Sequence, residues 1–414
     1  MKFIDWFAGI GGFRRGMELA GHICVGFCEF DKYATASYIS MHCITNTQRD
    51  FLGHLDLKIR QQEILKDEYL NNEWYRSDIT KVKGIEIPKV DCWCFGAPCQ
   101  SFSLSGKREG LNGESGLINE IFRLIGEIGE EDRPEWLIYE NVKGMFSSNR
   151  GFDYLAILNS MDELGYDCEW QLFNSKNFGI PQNRERVYTI GHYRRRGSRK
   201  IFPLQRENEE FTLSVKKVGN CYHSGGQNGN IYSIEGLAPT LSAGTGNKGR
   251  GIGSSNAPKI AIAIKPQVIG GIGEKKSNSG RQYYQQDRVY DGTKVSCALC
   301  SGQLDGVYMY AFPCSIDSNK ASVGKHAIGK IVDFIEDFII IELNNGNTVW
   351  AKWFEKKNCY IIVRRLTAKE CFRLQGWTDD YYEKAAFINS ETQLYKQAGN
   401  GVTVNIVEEI GKQL

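Results

Sequence analysis

Apolar residues in the first half of the chain fall into short runs, each closed by glycine or an acid and separated by amphipathic or charged stretches. Phe3-Ile4-Asp5-Trp6-Phe7 reads as a strand, and Ala8-Gly9-Ile10-Gly11-Gly12 as a glycine-rich turn into a helix beginning near Phe13. Ile23 to Cys28 predicts a second strand, ending in the acid Glu29. From Asp31 to about Tyr75 the pattern is helical and charged, with Glu63 to Glu68 composed like a solvated face. Lys89 to Phe95 is a buried strand bounded by Pro88 and Gly96. A further run, Glu135 to Tyr139, leads into Glu140-Asn141-Val142. Tyr166 to Phe173 and Arg186 to Gly191 predict a closing antiparallel pair, joined by Gln182-Asn183-Arg184-Glu185-Arg186. At least four strand–helix units in succession specify an α/β fold, a doubly wound, mostly parallel sheet with helices on both faces.

The texture changes after Tyr193. Arg194-Arg195-Arg196-Gly197-Ser198-Arg199-Lys200 is a basic run, and residues 219–306 are rich in Gly, Ser, Asn and Tyr. Arg288-Val289-Tyr290-Asp291-Gly292 to Gly302 echoes Ile231-Tyr232-Ser233 to Gly244; an internal repeat and a chance likeness between Gly/Tyr-rich β segments both fit. Between 331 and 363, Phe338 to Leu343 and Thr348 to Trp353 flank Asn345-Gly346, a hairpin signal. Leu366 to Leu374 is again an amphipathic helix, with Thr367 as its cap. These shifts divide the chain into 1–193, a small, mostly β region at 194–362, and a C-terminal segment at 363–414.

At 414 residues there is room for a large core and two domains. The 41% apolar and 24% charged residues are those of an ordinary globular protein, and no apolar stretch approaches a membrane span. A net charge of +2 announces no polyanion partner, so any such surface must be local. Met1-Lys2 runs straight into the first strand without a signal peptide, so the thirteen Cys predict free thiols in a reducing cytosol. Cys92-x-Cys94 and Cys297-x-x-Cys300 lack a second pair at metal-site spacing; they read as structural thiols, and no metal is expected.

The candidate chemistry gathers at strand ends. Cys99 stands just past the strand ending at Phe95, where open α/β sheets carry their sites, and Pro98 stiffens the backbone that presents it. The small polar residues from Ser101 to Gly113 suit a loop that folds over a ligand. Taken alone, a Cys in such a place is as well explained as a small core residue. Glycines in the first turn let the backbone approach a ligand, and the following helix offers unpaired N–H groups. Glu29, eighteen residues after Gly11, has the spacing at which an acid meets ribose hydroxyls.

Phe7-Ala8-Gly9-Ile10-Gly11-Gly12, Pro98-Cys99-Gln100, Glu140-Asn141-Val142 and Gln182-Asn183-Arg184-Glu185-Arg186 resemble four ordered motifs of the bacterial and phage cytosine-5 DNA methyltransferases. Arg365-Leu366-Thr367 to Trp377 and Gln397-Ala398-Gly399-Asn400-Gly401-Val402 resemble the last two, so the likeness covers about 1–193 and 363–414. One departure is Ala97, where the family usually has Phe; it alters packing beside Cys99 but removes no reactive group.

The resemblance implies a Rossmann-like catalytic domain at 1–193, a target-recognition domain at 194–362, and S-adenosylmethionine as cofactor. Cys99 would be the nucleophile at carbon 6 of cytosine, Glu140 would assist at N3, and Arg184 and Arg186 would grip the base and a phosphate. Phe7, Ala8, Gly9, Gly11 and Gly12 would cradle the methionine moiety, Glu29 the ribose, and Asp78 with Ile79 the adenine edge. Asn400 and Val402 would form a late-arriving wall. Gln100, Ser103, Arg194, Arg195, Arg196, Thr240 and Leu241 are the expected contacts to double-stranded DNA, whose target base must flip out to reach Cys99. A monomeric cytoplasmic enzyme follows, for which a cognate restriction endonuclease would be a functional and not a physical partner. An RNA cytosine-5 methyltransferase and a DNA-binding protein with a decayed site are the alternatives; the long insert disfavours the first and the complete residue set the second.

Overall fold

The computed structural model describes residues 1–98, 114–197, 199–204 and 364–414, together with the strands and a few flanking residues between 214 and 362. The chain divides into two units, Met1–Thr212 with Thr240–Thr245 and Glu370–Leu414, and Leu213–Pro239 with Gly246–Lys369.

Seven strands build the sheet of the first unit: β1 (Lys2–Trp6), β2 (Ile23–Cys28), β3 (Trp74–Arg76), β4 (Cys92–Phe95), β5 (Trp136–Val142), β6 (Tyr166–Asn174) and β7 (Glu185–Tyr193). Their order is β3-β2-β1-β4-β5-β7-β6. The first five run parallel, and β7 is antiparallel to both β5 and β6. The chain moves outward from β1 through β2 to β3, then returns to lay β4 on the other side of β1. The turns after β1 and β4 therefore leave the sheet side by side, with Trp6 opposite both Phe95 and Cys28. Such a switch point opens a crevice at the C-terminal ends of the strands.

The helices are α1 (Gly12–Leu19), α2 (Lys32–Tyr38), α3 (Asn46–Gly53), α4 (Leu57–Glu63), α5 (Ile118–Glu127), α6 (Phe152–Glu163), α7 (Ala368–Arg373), α8 (Asp379–Ala386), α9 (Glu391–Asn400) and α10 (Val404–Gly411). Strand periodicity splits the core into two layers. Trp6, Trp93, Phe95, Leu137 and Tyr139 pack with Ile121 and Leu124 of α5 and Ile157 of α6. Phe3, Cys92, Cys94, Trp136 and Ile138 meet Phe13 and Met17 of α1 and Ile406, Val407 and Ile410 of α10. Each buried apolar side chain on α10 contributes about 2 kcal/mol. A Cβ on Gly16 would fall 2.5 Å from Val407 Cβ, so α1 and α10 cross at that glycine. Cys92 and Cys94 are core thiols, their Sγ atoms 3.8 Å apart.

The doubly wound, mostly parallel sheet is as the pattern predicts, with one element misread. Trp74–Arg76, taken into the helical stretch, is an edge strand whose three residues are too few to show a period. The same stretch is broken by a π-helical turn at Ile39–Cys43.

In the second unit, Lys320–Val323, His326–Ile335, Phe338–Leu343, Thr348–Phe354 and Cys359–Ile362 form an antiparallel meander in that order. Ile340 pairs with Trp350 and Ile341 with Val349, about the Asn345-Gly346 hairpin, which itself lies outside the described residues. The two echoing segments differ in partners. Asn230–Ser233 pairs with Lys217–Asn220 and Lys259–Ala261, whereas Arg288–Asp291 pairs with Gln267–Gly271. Among the described residues no helix is long and apolar enough to cross a membrane.

Candidate functional site

The turn after β1 is bent by left-handed residues: Phe7 at φ 53°, Gly9 at 57° and Gly11 at 86°. For Phe7 that conformation costs about 1–2 kcal/mol, and such strain gathers at functional sites. The Ala8 N–H donates to Cys28 O at 3.0 Å and the Gly11 N–H to Ala8 O at 2.8 Å, fastening the bend to the end of β2. A Cβ on Gly9 would meet nothing within 4 Å, so this part of the turn is open to a ligand.

Glu29 follows β2 directly. Its Oε2 accepts from the Gly9 N–H and its Oε1 from the Asp31 N–H, both at 2.7 Å. Burial pushes its carboxyl above the usual glutamate range, against the opposing pull of those N–H groups. Asp31 caps α2 through the Tyr33 N–H at 2.9 Å and pairs with Lys396 of α9 at 2.6 Å. Asp78 accepts from Thr80 Oγ1 at 2.7 Å and from the Thr80 N–H at 3.1 Å; the hydroxyl bond leads in holding its carboxyl low. Ile79 is buried beside it in the chain.

On the other side of the switch point, β4 delivers Gly96, Ala97 and Pro98 to the crevice. Cys99, Gln100 and Ser103 lie outside the described residues. Glu140 stands near the end of β5, and Arg186 at the start of the antiparallel β7, where it opposes Val142. Arg186 Nε lies 3.0 Å from Glu140 Oε1, with the two side chains only 14% and 11% exposed. A Cβ on Gly96 would come within 3.5 Å of Glu140 Oε2, so the acid's second oxygen faces the chain just before Cys99. Asn141 accepts from the Val142 N–H at 2.7 Å and donates to the Tyr139 hydroxyl, which stiffens the strand end.

Arg184 is buried and donates to the carbonyls of Gly401 at 2.8 Å and Gly399 at 3.4 Å, so it braces the C-terminal segment. That segment reaches both sides of the crevice. A Cβ on Gly12 would sit 3.0 Å from Val402 O, and one on Gly96 would sit 3.9 Å from Val402 Cγ2. Val402 thus joins the glycine turn to the end of β4, while Asn400 is exposed at the end of α9.

The basic run is not brought to this end of the sheet. Arg194 follows β7 eight residues after Arg186, about 26 Å along a strand, at the end where β5 begins. There Arg194 pairs with Asp162 and, at 2.6 Å, with Asp167; Arg195 pairs with Glu130, and Arg196 donates to Glu131 O at 3.1 Å. These contacts tie the run to the acids beside that end of the sheet. Thr240 is exposed and donates to Asn183 O at 2.6 Å, touching the Gln182–Arg186 motif; Leu241 lies outside the described residues. Asp31 belongs to none of the motifs; its place just after Glu29 is the signal that points to it. Gln182, which opens the Gln182–Arg186 motif, is wholly buried, and neither of its amide atoms has a hydrogen-bond partner among the described residues.

The family model for C-5 cytosine-specific DNA methylases matches residues 1–66 and 54–414. The chain is 28% identical to the orphan methyltransferase M.SPRI of Bacillus phage SPR, across 100% of this chain and 97% of that one. It is 35% identical to the type II methyltransferase M.HhaI of Haemophilus parahaemolyticus over 46% of this chain and 48% of the relative. In fold it is similar to the crystal structure of S. pombe Dnmt2 methyltransferase, with a TM-score of 0.50, 14% identity and coverage of 99% and 97%. A crevice at the switch point, with Glu140 and Arg186 on one side and the glycine turn and Glu29 on the other, accompanies a family match over essentially the whole chain: the protein belongs to the C-5 cytosine-specific DNA methylases.

Proposed function

We propose that this chain transfers a methyl group from S-adenosylmethionine to carbon 5 of a cytosine flipped out of double-stranded DNA, with residues 194–362 choosing the target sequence. The observation that carries the reading is the Glu140–Arg186 pair, 3.0 Å apart and little exposed, beside the backbone that leads to Cys99.

Carbon 5 of cytosine is too electron-poor to attack a methyl donor unaided. Addition of the Cys99 thiolate to carbon 6 makes the ring an enamine, nucleophilic at carbon 5. Glu140 assists at N3 as charge develops there. Arg186, whose guanidinium orients that carboxyl, has further donors for the base carbonyl. Release follows when carbon 5 loses its proton and the Cys99 sulfur leaves carbon 6. Arg184, close to Arg186 in the chain, holds Gly399 and Gly401.

S-adenosylmethionine, when bound, supplies the electrophilic methyl group. The residues fit it: Glu29 is a fixed acceptor for ribose hydroxyls, and the open bend at Gly9 admits the methionine moiety. Asp78 and Ile79 would meet the adenine edge, with Phe7, Ala8, Gly11, Gly12, Asn400 and Val402 enclosing the remainder.

The test is incubation with methyl-labelled S-adenosylmethionine and either duplex DNA or RNA, then bisulfite sequencing of DNA from a bacterial host expressing the protein. Label in cytosine of DNA at one recurring sequence is expected. Label confined to RNA would move the substrate to RNA, and label in neither would overturn the reading.

A further inference from the structure

His42 belongs to no motif of the site, yet it touches the glycine turn. It lies in the π-helical turn Ile39–Cys43, a local irregularity often found at functional sites. Its Nε2 is 3.0 Å from the Ile10 carbonyl; since a carbonyl only accepts, Nε2 carries the proton and donates. A Cβ on Gly11 would fall 2.5 Å from that Nε2 and 3.0 Å from Tyr38 Cε2, so the bend rests directly on the two rings. The imidazole also neighbours the C-terminal region, with Tyr381 of α8 at 5.4 Å and Trp377 at 6.0 Å between ring centroids. Arg15 of α1 lies 4.7 Å over the Tyr381 ring, closing the cluster. Burial, with the positive charges of Arg14, Lys384 and Arg15, holds the His42 pKa well below the usual histidine value, so the ring stays neutral.

We propose that His42 is a positioning residue for the cofactor turn: it fixes the Ile10–Gly11 bend and couples the seating of Trp377 and Tyr381 to the affinity for S-adenosylmethionine. The proposal rests on the methyl-donor reading above. A ring that only filled space would do as well without a donor, whereas a positioning ring must keep its bond to Ile10.

His42→Phe keeps the ring and loses the donor; His42→Gln keeps a side-chain N–H. Calorimetric titration of the full chain with S-adenosylmethionine is expected to show about fivefold to tenfold weaker binding for His42→Phe, the effect of one lost hydrogen bond. Turnover at saturating donor should stay native, and His42→Gln should recover most of the affinity. Tyr381→Leu should weaken binding in the native background and add little to His42→Phe. Native affinity in His42→Phe would overturn the proposal, as would equal losses in both His42 variants. If His42→Phe does not fold, His42→Gln alone decides, since a large loss there contradicts the role. If the native protein does not bind S-adenosylmethionine, the donor reading itself has failed. Hydrogen exchange at Ala8 to Gly12 in the ligand-free protein still tests His42: faster exchange in His42→Phe supports the role, and unchanged exchange overturns it.

Discussion

The two ends of the seven-stranded sheet use the same side-chain chemistry to different effect. At the end where β5 finishes, Arg186 meets Glu140 in a crevice, with 14% and 11% of the side chains exposed. At the opposite end, Arg194 meets Asp162 and Asp167 with 42% to 67% exposed. Charge in water is screened and its pairing is worth little; charge in a crevice is costly to leave unpaired and strong toward whatever enters. Charge density along the sequence therefore does not single out the crevice arginine; position relative to the switch point, and burial, do.

The largest expected effect is at the buried pair. Arg186→Met leaves Glu140 without this cation, and methyl transfer should fall about 10²–10³-fold, the scale set by losing one oriented donor. Calorimetry should find S-adenosylmethionine binding close to native, since the cofactor turn is untouched. Parallel losses of binding and transfer would mean that the two sides of the crevice are not separable.

Next comes Glu29. Glu29→Ala removes both the proposed ribose acceptor and the anchor of the Gly9 N–H, and donor affinity should drop at least tenfold, about two hydrogen bonds' worth. Its pH dependence has a definite sign. The folded pKa is raised, so the proton is held more tightly in the folded protein than in the unfolded chain, and the associated stability is lost as pH rises through the folded value. Ribose hydroxyls need the ionised form. Affinity should therefore fall on acidification before pH reaches about 4.3, the ordinary glutamate value. Binding constants that stay flat down to that pH would refute this.

Smaller again is Gln182→Leu. Removing a buried amide that has no hydrogen-bond partner among the described residues should stabilise the protein to urea by about 1–2 kcal/mol while lowering methyl transfer, if the crevice's ligand supplies the missing partners. The smallest effect belongs to the exposed run. Changing Arg194, Arg195 and Arg196 together to Ala should cost under about 1 kcal/mol per pair and leave the salt dependence of DNA binding unchanged. A flatter salt slope would restore the run as a phosphate contact.

Much of this was legible in the residues. Phe3 to Phe7, Ile23 to Glu29 and Glu135 to Val142 announced their strands because a strand buried on both faces must be apolar, and the glycines after Phe7 announced the turn. Glu140 and Arg186 could be named because their motifs resemble those of the cytosine-5 DNA methyltransferases; the structure sets those motifs at the end and start of neighbouring strands. What remained hidden depends on pairing across distance. Arg184 and Arg186 are alike in sequence, yet one holds Gly401 O and the other Glu140. His42 reaches Ile10 only through a π-turn that no periodicity reveals.

The central claim, that the crevice at the switch point works with Cys99 on a cytosine, is tested most directly by trapping. DNA carrying 5-fluorocytosine in the target, incubated with S-adenosylmethionine and the protein, should yield a covalent complex that survives denaturation, because fluorine cannot leave carbon 5 as a proton does. Cys99→Ser should give none. A trapped complex in Cys99→Ser, or a native protein that methylates cytosine yet never traps, would contradict the account.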